Sequence, residues 1–71
     1  MTTKITGDRE LPAADVELIN RIKETANTVG VLVEEVLHHV YSDHRWAFIA
    51  RTELQQGFMA LVRAVAKSEG F

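Results

Sequence analysis

Cysteine is absent from this 71-residue chain, proline occurs once, and the four glycines stand far apart. Without cysteine there is no disulfide, no thiolate metal site and no cysteine nucleophile. Scattered glycines exclude a Gly-rich phosphate loop. Charge of one sign is also missing: 8 Lys+Arg against 10 Asp+Glu leave a formal charge of −2, without the dense basic face of a general nucleic-acid binder, so no DNA or RNA duplex is expected as a partner. No run approaches the roughly 18 apolar residues of a membrane span, and the first residues hold no apolar segment of signal-peptide length. The expectation is a cytoplasmic protein with no membrane partner. The length itself excludes a Rossmann unit, a barrel, or a two-domain enzyme with its site in a cleft.

What is present is apolar. At 46% hydrophobic residues the chain is too greasy for disorder, yet one isolated core of this size is marginal without covalent or metal support. Self-association is the expected remedy.

Residues 1–10 are polar and Thr-rich and read as a flexible arm, with a turn expected at Gly7-Asp8. Pro12 suits the first turn of a helix, and Asp15 and Glu17 suit its positive end. From there Ile19, Ile22, Ala26, Val29, Val33, Val36 and Val40 step by alternating threes and fours, the spacing of a helical seam. Leu18, Val31, Leu32 and Leu37 fall outside that seam, so one partner helix cannot cover them all. Gly30 suits a close crossing or a kink, and Gly57 close backbone approach. Helix one is expected over 12–41. Ser42 and Asp43 are N-cap candidates for a second helix over 43–67, striped by Ala50, Leu54, Phe58, Leu61 and Val65 and by Ile49, Met59, Val62 and Ala66. Gly70 reads as its C-cap, with Phe71 folding back. The predicted fold is all-α: one antiparallel helical hairpin with a short N-terminal arm, assembled into a symmetric oligomer.

Catalytic chemistry is hard to find. The serines are Ser42 and Ser68, neither in a nucleophile elbow, and the carboxylates decorate helix surfaces. No catalytic residue and no cofactor is assigned. His38, His39 and His44 with Asp43 form the only metal-like cluster, but without HExxH or a comparable motif they read as solvated helix-end histidines, and no metal is assigned. The cations are more informative. Arg45 and Arg51 lie early in helix two, where backbone N–H groups already favour anions, and Thr52 adds a hydroxyl. Their bland reading is pairing, Arg45 with Asp43 or an acidic residue on a neighbouring helix and Arg51 with Glu34 or Glu35, just as Arg21 sits among Glu17 and Glu24. Trp46 reads as core or as an interface anchor.

The stretch Arg45-Trp46-Ala47-Phe48-Ile49-Ala50-Arg51-Thr52-Glu53-Leu54-Gln55-Gln56-Gly57-Phe58-Met59-Ala60-Leu61-Val62-Arg63-Ala64-Val65-Ala66-Lys67, ending Glu69-Gly70-Phe71, closely resembles the C-terminal helix of the phage anti-CBASS cyclic-nucleotide sponge family. Val16-Glu17-Leu18-Ile19-Asn20-Arg21-Ile22-Lys23 is similar to that family's first long helix. The likeness covers roughly residues 9–71.

The resemblance implies a small helical protein that assembles as a hexamer and binds cyclic di- and trinucleotides made by bacterial antiphage cyclases. It would sequester them without cleavage, so that the nucleotide-activated effector stays off in the infected cell. It implies Lys23 as the helix-one lysine facing dinucleotide phosphates, and places Arg45, Arg51 and Thr52 in the motif that gives polar contacts. Relatives often carry an aromatic before helix one that can stack on a base, whereas Gly7-Asp8-Arg9-Glu10 stands here: Asp8 would repel phosphate, and Arg9 would replace part of the stack by lying flat on a purine. The alternative from another class is an oligomeric helical protein–protein interaction module with no nucleotide ligand.

Overall fold

The computed structural model describes residues 3–5 and 9–67, with side chains from Leu11 onward. Two short strands precede two long helices: β1 (Thr3–Ile5), β2 (Arg9–Leu11), α1 (Ala13–His38) and α2 (His44–Ala66). The strands pair antiparallel, Thr3 opposite Leu11 and Ile5 opposite Arg9. The segment read as an irregular arm is therefore partly ordered by backbone pairing, which three-residue strands do not announce in side-chain pattern. The turn expected at Gly7-Asp8 lies outside the described residues.

Pro12 stands just before α1 as its N-cap, with no side-chain bond to give. Its carbonyl accepts from the N–H groups of Asp15 and Val16 at 2.9 and 3.1 Å. The seam forms as its spacing requires only as far as Val33: Ile19 is buried and Ile22, Ala26, Val29 and Val33 are half-buried against α2, but Val36 and Val40 are exposed and Leu37, expected outside the seam, is half-buried instead. The expected helix to residue 41 is thus three residues too long: His39 swings into extended backbone (φ −82, ψ 118) and ends α1 at His38. Beyond it the Ser42 N–H and the His44 Nε2 both reach the His39 carbonyl at 3.1 Å.

Of the two cap candidates, Asp43 serves: its Oδ1 accepts from the N–H groups of Arg45 at 3.0 Å and Trp46 at 3.3 Å. An Asp43→Ala substitution should cost about 1 kcal/mol, lowering the thermal midpoint by roughly 4–8 °C at fixed protein concentration. Asp43→Asn, which keeps an acceptor, should melt near the wild type; equal loss in both would remove the cap from the account. At the far end Lys67 takes the left-handed conformation (φ 51) and closes α2, its N–H donating to the Arg63 carbonyl at 2.7 Å. Gly70 and Phe71, expected as cap and fold-back, lie outside the described residues.

The buried core sits at one end, where Leu11 of β2 meets Ile19 and Ala66, flanked by Val16, Val62 and Val65. Towards the turn the only buried residue is the small Ala47. The molecule extends 46 × 22 × 12 Å, one helix thick, so each helix gives one flank to its neighbour and presents the rest outward. Trp46, read as core or anchor, is 65% exposed and so packs into no core of its own chain. No helix among the described residues is long and apolar enough to cross a membrane.

Candidate functional site

Between the helices runs an open cleft of about 880 Å³, floored by Ala26, Val29, Val33, Leu54 and Phe58 and edged by Arg51 and Glu34. Small Ala26 and Gly30 on α1 leave it open, and a Cβ at Gly30 or Gly57 would meet nothing within 4 Å, so neither glycine makes the expected close backbone approach within the chain. Volumes of a few hundred to about 1,000 Å³ are those of small-molecule sites, which combine apolar walls with a few polar groups.

The cations expected to carry binding are placed unequally. Arg45, Arg51 and Thr52 all stand within two turns of α2, and Arg51 alone reaches the cleft. Lys23 lies on α1, on the face of Ala26 and one turn beyond it, outside the cleft lining. Arg9 opens β2, and its side chain lies outside the described part. A single chain therefore does not gather Lys23 with the α2 cluster.

Among the described residues of one chain the bland pairings do not form. Asp43 is engaged with backbone at the helix N-terminus. Among the described residues, Lys23, Arg45 and Arg51 make no ion pair, the pair in evidence being His38 with Glu34 at 4.0 Å on the exposed surface. Arg51 turns instead to an aromatic, its Cζ 4.9 Å from the centroid of the Phe48 ring. Thr52 donates its hydroxyl to the Phe48 carbonyl at 3.2 Å, the back-bond open to any helical threonine. Both candidate residues thus converge on Phe48, a residue of the family-like stretch to which the sequence alone assigns no role. The signal was present in its spacing, three residues before an Arg and four before a Thr, the separations that meet on a helix surface.

The histidines stay apart as ligands. His38 Nδ1 contacts the Glu34 carbonyl at 2.8 Å and the His39 ring packs edge-on to Tyr41 at 6.1 Å. Among the described residues no group of three or more His, Cys, Asp or Glu is arranged to hold a metal ion.

Comparison with known proteins places this geometry. The family model described as the Acb2/Tad1 hairpin domain matches residues 3–66. Anti-CBASS protein 2 of Pseudomonas phage JBD67 is 31% identical over 101 residues of alignment, which covers 94% of this chain and 94% of that protein. With the strand pair, both helices and the Arg51-Thr52 cluster all inside the matched span, the chain belongs to the anti-CBASS Acb2/Tad1 hairpin family.

Proposed function

We propose that this chain counters antiphage signalling by capturing cyclic di- and trinucleotides where copies of it meet, holding them without cleavage and so starving the effector inside the infected cell. The observation that carries the reading is the family match over residues 3–66. The site chemistry agrees with it. Arg45, Arg51 and Lys23 are cations that no carboxylate of the described chain neutralises, and a guanidinium or ammonium free of its acid is ready for phosphate. Holding a ligand needs such donors and apolar walls, not a nucleophile.

Assembly, in this proposal as a hexamer, brings the separated cations together. The chain exposes 5709 Å², whereas a folded monomer of 8.0 kDa is expected to expose roughly 4,450 Å². The excess is larger than the roughly 800 Å² each partner buries in a standard interface. Met59, at 66% exposure on the cleft wall, is among the side chains such a contact would cover.

The test is calorimetry of the purified oligomer against a panel of cyclic di- and trinucleotides, followed by recovery of the ligand. Tight binding with the nucleotide returned intact is the expected result. A folded assembly that gives no heat with any member, or that returns linear product, would refute the proposal.

A further inference from the structure

We infer that Phe48 is the positioning residue of the α2 cation site: its ring holds the Arg51 guanidinium in the posture that meets a phosphate. The inference rests on the sequestration reading above and adds a residue to it. An arginine side chain has several rotatable bonds to freeze when it grips an anion, and a side chain already held loses less on binding. Arg51 is held by the ring 4.9 Å from its Cζ and by no carboxylate. A carboxylate in that place would consume guanidinium N–H donors and cancel the charge. An aromatic face does neither, because its attraction is to the cation as a whole and leaves the in-plane donors unspent.

Phe48 is itself 48% exposed, more than a residue retained for the core of this chain alone would show. It occupies the seam between two surfaces of α2. Arg51 lies on its cleft side, and on the other side Thr52, Glu53 and Gln56 line a shallower hollow with it. Arg45, three residues earlier, stands on the Thr52 side of the ring, seven residues before that threonine on the same helix face. The Thr52 hydroxyl donates to the main-chain carbonyl of position 48, a contact independent of the side chain there, so the ring's own contribution is the hold on Arg51.

The experiment is a binding cycle by calorimetry with cyclic di-AMP and cyclic tri-AMP, on the wild type, Phe48→Leu, Phe48→Tyr, Arg51→Ala and the Phe48→Leu/Arg51→Ala double variant. Assembly mass and circular dichroism are checked for each, and Phe48→Met replaces the leucine variant if that one fails to fold. For the ligand that Arg51→Ala weakens, Phe48→Leu should cost about two- to five-fold in affinity, the range of an exposed cation–π contact. Phe48→Tyr should restore it. In the Arg51→Ala background, the Phe48→Leu change should cost nothing further, since two residues acting as one unit are not additive. Additive losses, a tyrosine variant as weak as the leucine one, or an Arg51→Ala variant that binds both ligands normally would each overturn the inference. A wild-type chain that binds neither nucleotide would overturn the sequestration reading and this inference together, whereas binding with additive losses would leave that reading standing and remove Phe48 from it.

Discussion

Met59→Asp should break the assembly outright, leaving a single-subunit mass by light scattering and no nucleotide binding. Within one chain the substitution is mild, because Met59 is 66% exposed and changes on such a surface usually fall within about 0.5 kcal/mol. Between copies it is severe. A carboxylate pressed into an apolar contact with no cation opposite is an uncompensated buried charge, worth on the order of 3–5 kcal/mol. The two accounts of how the chain is stabilised therefore give opposite outcomes for one variant. An intact assembly with unchanged mass would mean that the cleft wall is a free surface.

The second large effect concerns Lys23. Losing one charge-assisted contact to a phosphate should cost about 1.5–3 kcal/mol, or roughly 10- to 150-fold in affinity for cyclic dinucleotides. Cyclic trinucleotides should change little, because Lys23 stands on α1 beyond the end of the cleft while Arg45, Arg51 and Thr52 cluster on α2. Arg51→Ala should show the reverse selectivity. Calorimetry of both variants with both ligand classes decides it: equal losses in either variant would collapse two site classes into one.

Much of the hairpin was legible in advance because its signals are local. The seam from Ile19 to Val33 is buried or half-buried as its spacing requires, and Asp43 caps α2 from the position a cap must hold. The errors arose where tertiary context outweighed periodicity. Val40 continues the seam arithmetically, yet nothing of α2 lies beyond the turn to receive it, so the chain leaves the helix at His39. Leu11 was overlooked because one apolar residue before a proline has no period, although it is the most buried side chain of the core. The site was less legible still. Pairing of Arg51 with Glu34 or Glu35 was a fair expectation from charge alone, and only the geometry sets the guanidinium over Phe48 instead. The role of Lys23 came from family likeness, since spacing on one helix does not say what another copy brings to it.

The one-sided core has a mechanical corollary. With Leu11, Ile19 and Ala66 clamped at one extremity and residues 39–43 tethering the helices at the other, the hairpin is pinned at both ends like a bow and its string. Spontaneous opening starts where buried area is least, so the pair bows apart first along its middle, where the cleft lies. Neighbouring subunits that press on that middle would hold the bow shut, and the time a messenger stays trapped would follow their grip.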